Sequence, residues 1–141
     1  MRNLKRALSL VMAMAMLIGM MTIGASAVSA SDFTDADEIV NTEAVSVLTT
    51  LNVINGKEDG SYFDPTGIVT RAEMAKMITV ALHGGEEPVL GTKTNPSYSD
   101  IKGHWAESYI EYCTSVGIIS GRGNGKFDPA ATVTVAEAAK M

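Results

Sequence analysis

Two side chains stand out as able to do chemistry. Arg71 follows Thr70 in a Thr-Arg-Ala-Glu run, at the first position of a helix whose capping box is spelled by Thr70 and Glu73. A guanidinium there lies beside N–H groups that lack intrahelical partners, at the positive end of the helix dipole. That setting suits an anion, and the planar fork matches a carboxylate in bidentate fashion. The plain alternative is an exposed first-turn arginine paired with Glu73 or Asp64. Trp105 is the single tryptophan of the chain. Its ring face offers a flat stacking surface, and a core position on a helix is its alternative.

Other candidate chemistries fail on spacing. Asn55 to Gly60 resembles the start of a calcium loop, but Lys57 occupies a ligand position and Thr66 stands where a bidentate Glu is needed. Gly121 to Lys126 hints at a phosphate loop, yet Ser120 and Phe127 break the pattern, and turn-forming glycine explains it better. His104 is one of two histidines and has no cysteine or second histidine nearby to make a metal site. Cys113 falls on an apolar helical face with no basic neighbour, which points to a small core residue rather than a nucleophile. Glu107 and Glu111 are helical neighbours and read as a solvated face. The sequence thus shows no catalytic constellation, cofactor motif or metal site, and predicts a protein that is not an enzyme in itself.

The elements that position these residues come in two copies. Phe33-Thr34-Asp35 recurs as Tyr98-Ser99-Asp100, and Val53-Ile54-Asn55-Gly56 as Ile118-Ile119-Ser120-Gly121. After a one-residue slip, Phe63-Asp64-Pro65 matches Phe127-Asp128-Pro129. Thr70 to Glu73 then matches Thr134 to Glu137, and Ala75-Lys76-Met77 matches Ala139-Lys140-Met141. Each copy reads as helix, loop, helix, which predicts an all-α repeat protein. Helical spacing puts Val40, Ala44, Val47, Leu48 and Leu51 on one face, and Trp105, Tyr109, Cys113 and Val116 on its counterpart. Met74, Met77, Ile78, Ala81 and Leu82 form the expected stripe of the second helix. Gly84 and Gly117 are placed as helix stops, and the aromatic-Asp-Pro triplets as turns.

Ahead of the repeats, Arg2, Lys5 and Arg6 precede an apolar run from Ala7 to about Gly24, with small-residue cleavage sites ending at Ala27 and Ala30. Residues 1–30 therefore read as a secretory signal peptide, with a retained membrane anchor as the alternative. The division that follows is a first repeat over 31–84, a linker over 85–96 and a second repeat over 97–141 whose closing helix is cut short, as in a fragment of a longer protein. Removing the leader takes away three basic and no acidic residues, leaving eight basic against sixteen acidic and a formal charge of −8. Such a chain has no general attraction for nucleic acid or anionic lipid, so an acidic ligand needs a local site. One cysteine excludes an internal disulfide.

The repeated motifs, together with His104-Trp105-Ala106, resemble the S-layer homology family of cell-wall anchoring modules over nearly the whole mature region. The resemblance implies an exported protein held non-covalently on a bacterial wall. It implies units packed in threes as a pseudo-trimer, with grooves between them binding a secondary cell-wall polysaccharide that often carries a pyruvate ketal. As site residues it implies Arg71 gripping the ketal carboxylate, Trp105, the loop glycines Gly56 and Gly121, and Asp35 and Asp100 at the repeat starts. Two departures bear on this. The second repeat has Val135 where the arginine belongs, and the first has Ile39-Val40 in place of the His-Trp pair. Arg71 and Trp105 are therefore expected to serve one groove between the units, and Arg71→Ala to abolish wall binding without unfolding the chain. An anchor on a larger surface enzyme such as a glycan hydrolase, or a packing and self-assembly module, are the other readings.

Overall fold

A computed structural model describes residues 28–57 and 60–140. The signal-peptide reading falls largely outside them. Among the described residues four helices form in chain order: α1 (Thr42–Thr50), α2 (Arg71–Leu82), α3 (Glu107–Ser115) and α4 (Val135–Lys140). Two 3₁₀ turns, Ala30–Asp32 and Ala36–Glu38, precede α1. Among the described residues strand pairing is limited to isolated bridges, so the all-α expectation holds. None of the described helices is long and apolar enough to cross a membrane.

Helix ends follow the local sequence closely. The Thr70 hydroxyl accepts the Glu73 N–H at 3.2 Å while the Glu73 carboxylate takes the Thr70 N–H at 2.7 Å, and Thr134 with Glu137 repeats both bonds. α2 and α3 each end in a paired backbone closure built on a left-handed glycine, Gly84 and Gly117. α1 ends the same way on Asn52, at φ 54°, with Asn52 N–H on the Thr49 carbonyl and Val53 N–H on that of Leu48. Asparagine tolerates this conformation better than other side chains do, so one stop signal is written in two residue types.

The buried faces differ from those the spacing predicts. On α1 the buried residues are Val45 and Thr49, while Val40 lies before the helix and is 92% exposed. Val47 and Leu51 are exposed as well. Thr49 tolerates burial because its hydroxyl bonds the carbonyls of Val28 and Val45. On α2 the stripe is Ala72, Ala75, Thr79 and Val80 rather than one centred on Met74, Ala81 and Leu82. On α3 it is Ile110 and Cys113 with Glu107 and Glu111, while Trp105 and Val116 face outward. On α2 and α3 the shift has one cause: small residues let two helices approach closely. α2 presents Ala72, Ala75 and Thr79 to α3, and the Thr79 hydroxyl sits 3.2 Å from the Cys113 sulfur.

This pairing crosses the repeats. The larger core joins Ala72 and Ala75 of the first repeat to Ile101, Ala106, Ile110, Cys113, Ile119 and Phe127 of the second. The first repeat keeps a smaller core of Ala30, Phe33, Ile39 and Val45, with Phe63 against it. So the second helix of one helix–loop–helix unit closes the core of the next.

Glu107 and Glu111, expected on a solvated face, are buried. Glu107 accepts the Gly103 N–H at 2.6 Å. Glu111 takes the Ser97 hydroxyl at 2.8 Å together with the Ser97 N–H and the Lys93 ammonium. Burial alone would raise the Glu111 carboxyl, but Lys93 and Ser97 outweigh it and hold it below the ordinary carboxylate range. These bonds tie the Gly- and Pro-rich connection between repeats onto α3.

Candidate functional site

Each repeat shapes its loop around one carboxylate. The two oxygens of Asp35 accept the N–H groups of Phe63 and Asp64 at 2.9 and 2.7 Å. Asp100 accepts those of Phe127 and Asp128, both at 2.9 Å. These grips hold Asp64 and Asp128 in the left-handed region, at φ 60° and 59°. Burial would raise both clamping carboxyls; the backbone donors win and keep them lowered. Phe33 packs on Phe63, and Tyr98 on Phe127, with ring centroids 5.4 and 5.5 Å apart. Asp35 and Asp100 thus act on the backbone of their own repeat.

The loop glycines are demanded by close approach. A Cβ on Gly56, at φ 76°, would lie 2.8 Å from the Phe33 ring. One on Gly121 would lie 2.4 Å from the Tyr98 ring and 2.5 Å from the Lys126 carbonyl.

Arg71 reaches away from its own loop into that of the second repeat. Its side chain is buried, the residue only 3% exposed, with Nε donating to the Phe127 carbonyl at 2.8 Å and Nη2 to the Ser120 carbonyl at 2.7 Å. The guanidinium carbon stands 4.3 Å from the centre of the Phe127 ring, and Nη1 is 3.7 Å from Glu137. Burial and the neighbouring Arg122 draw its pKa below the ordinary arginine value, against Glu137 and Asp128. The α2 N–H groups expected to be free are also engaged: Arg71 N–H bonds the Ala131 carbonyl at 2.9 Å and Ala72 N–H that of Pro129 at 3.0 Å. An antiparallel bridge joins Thr70 to Thr132 beside them. The helix start that read as an anion site is filled by backbone oxygens of the next repeat.

Trp105 has a different setting. It is 57% exposed, with its ring 5.5 Å from that of His104 and 6.4 Å from that of Tyr109. It borders a groove of about 300 Å³ whose other walls are the first-repeat loop, including Asn55, Gly56 and Phe63, and Lys76 and Met77 of α2. Trp105 and Gly56 are therefore brought together, while Arg71 and Gly121 belong to the other loop and Arg71 is not among the groove's lining residues. The groove's two lysines have partners: Lys57 bonds Asp64 at 2.9 Å, and Lys76 pairs with Glu87 at 3.4 Å. Tyr109 donates to Glu87, and burial with that bond pushes its hydroxyl up to about 12. Lys76 recurs as Lys140 in the repeat, yet repetition alone gave no hint that it faces a groove. Among the described residues no cluster of His, Cys, Asp and Glu is arranged to hold a metal ion.

Comparison with known proteins matches this architecture. The S-layer homology domain profile matches residues 32–75 and 97–139, and the chain belongs to that family. Its wall- and surface-associated setting agrees with the sequence reading. The chain is 31% identical over 140 residues to a cell surface protein of Thermoanaerobacter kivui, covering 98% of this chain and 18% of that one. It is 33% identical over 98 residues to a cellulosome-anchoring protein of Acetivibrio thermocellus, covering 70% of this chain and 22% of that one. An exoglucanase of Acetivibrio thermocellus is 34% identical over 92 residues, covering 64% of this chain and 8% of that one. The chain spans less than a quarter of the length of each. No solved structure matches.

Proposed function

We propose that this chain tethers an exported protein to the bacterial wall by holding a secondary cell-wall polysaccharide, pyruvylated or otherwise anionic, in the groove beside Trp105. The observation that carries the reading is Trp105 itself: a large aromatic more than half exposed at the edge of a groove, backed by two further rings, where a stacked sugar would cover it. Lys57 and Lys76 on the groove walls are the cations within reach of an acidic substituent. Gly56 lets the loop backbone form a groove wall, and Asp35 holds that loop in shape. Arg71, Gly121 and Asp100 serve the site indirectly, by fixing the second repeat against the first. The anchoring and glycan-hydrolysing relatives favour a tether whose cargo varies.

The test is co-sedimentation of the chain with purified wall sacculi, before and after the secondary polymer is stripped. Binding that disappears on stripping is the expected result. A folded chain that ignores intact sacculi refutes the reading.

A further inference from the structure

The connection between the repeats is fastened at both ends and free in the middle. On the first-repeat side Glu87 accepts the Tyr109 hydroxyl and pairs with Lys76 at 3.4 Å. On the second-repeat side Lys93 and Ser97 both bond Glu111 of α3. Among the described residues, none shares a backbone hydrogen bond with the stretch from Glu87 to Pro96. At its middle Val89 is fully exposed, and a Cβ on Gly91 would meet nothing within 4 Å. Pro88 bars a helix from continuing into the stretch and biases Glu87 towards extended backbone. An endopeptidase needs such a segment, because it binds its substrate as an added strand whose backbone groups pair with the enzyme.

A break here does not divide the molecule, because the packing does not divide where the repeats do. α2, which precedes the connection, packs on α3, which follows it, and Ala72 and Ala75 close the core around Ile110 and Cys113. Arg71 donates to the Phe127 and Ser120 carbonyls. Beside it Val133 N–H bonds the Val69 carbonyl and Arg71 N–H that of Ala131, both at 2.9 Å. Every one of these contacts joins a residue before Val89 to a residue after Leu90.

We propose that the Val89–Leu90 bond is a processing site for an extracellular serine endopeptidase with a small apolar specificity pocket, and that the cut chain persists as two pieces in one fold. Val89 fills the pocket on the acyl side, and Leu90 leads the departing piece. Water is the one co-reactant: the carbon–nitrogen bond breaks, the water oxygen enters the new Val89 carboxylate, and Leu90 leaves with a new amino terminus. The cut ends stay fastened, one beside Tyr109 through Glu87 and the other on α3 through Lys93. Exposed, unpaired backbone is what decides where a folded chain is nicked. The site lies outside the groove beside Trp105, and the proposal stands independently of the glycan reading.

The test is brief digestion of the folded chain with pancreatic elastase, with the pieces identified by intact mass. The first cut is expected between Val89 and Leu90, with both pieces eluting as one species in native size exclusion and separating in urea. The cutting rate should stay flat in urea below the melt, since the segment is open in the folded state. Val89→Asp places a charge in an apolar pocket and should slow this cut about tenfold or more, with the thermal melt unchanged. An uncut chain, a first cut elsewhere, or a Val89→Asp chain cut equally fast overturns the site. A rate that climbs with urea below the melt does the same. Pieces that separate in native buffer overturn the two-piece fold.

Discussion

Replacing Arg71 with alanine separates a ligand grip from a structural key. The substitution removes two charge-assisted hydrogen bonds, to the carbonyls of Phe127 and Ser120, and the guanidinium stacked on the Phe127 ring. Hydrogen bonds to a charged group contribute about 1.5–3 kcal/mol each. The alanine variant also escapes the cost of burying the cation, which offsets part of that sum. A net loss of about 3 kcal/mol follows, a sizeable share of the 5–15 kcal/mol usual for a domain. For a chain of this size it lowers the melting temperature by roughly 15 °C. Arg71→Lys keeps the charge but not the fork, and should fall between the two. The assay is a thermal and a urea melt followed by circular dichroism, run beside sacculus co-sedimentation. A variant that melts within ~1 kcal/mol of the native chain and still loses wall binding would refute the key and return Arg71 to the ligand.

Trp105→Ala should leave the melt unchanged and abolish sacculus binding; retained binding removes Trp105 from the site. Asp35, Asp100 and Glu111 all have lowered folded-state pKa values, so the stability they contribute is present above their unfolded values and is lost as pH falls through the folded ones. Melts should therefore hold steady from pH 8 to about 6 and collapse as pH drops below about 4, with Glu111→Gln showing a weaker acid dependence. An acid-insensitive native melt would contradict the carboxylate clamps. The leader should be cut after Ala27 rather than Ala30. Thr49 bonds the Val28 carbonyl at 2.6 Å, Ser46 takes the Ala30 N–H at 3.0 Å, and Ala30 lies in the first-repeat core. Intact mass measurement of the exported protein should find Val28 at its start, and Ser31 there would show that these contacts are dispensable.

Much was legible in the residues because it depends on near neighbours. Capping boxes, helix stops at Gly84 and Gly117, and the aromatic-Asp-Pro turns are fixed by backbone groups within a few positions, and the repeated motifs announced the family. The buried faces were less legible. Helical spacing shows that apolar residues share a side but not which neighbour comes near, and the α2–α3 contact runs along alanines and threonine that carry little hydrophobic signal. Glu107 and Glu111 looked solvated because their partners lie outside the helix: Gly103 on the preceding turn, Lys93 in the linker and Ser97 at the start of the second repeat.

Arg71 marks the boundary most clearly. Its residue type, helix position and capping box follow from the sequence. Whether its guanidinium meets a free carboxylate or two backbone carbonyls depends on what stands opposite α2. The Phe127 and Ser120 carbonyls come from loop residues far along the chain, and only the packing of one repeat's helix onto the next repeat's core brings them there. The same packing leaves Trp105 at the edge of a groove instead of inside the core, because Ala106 and Ile110 take the buried side of its segment.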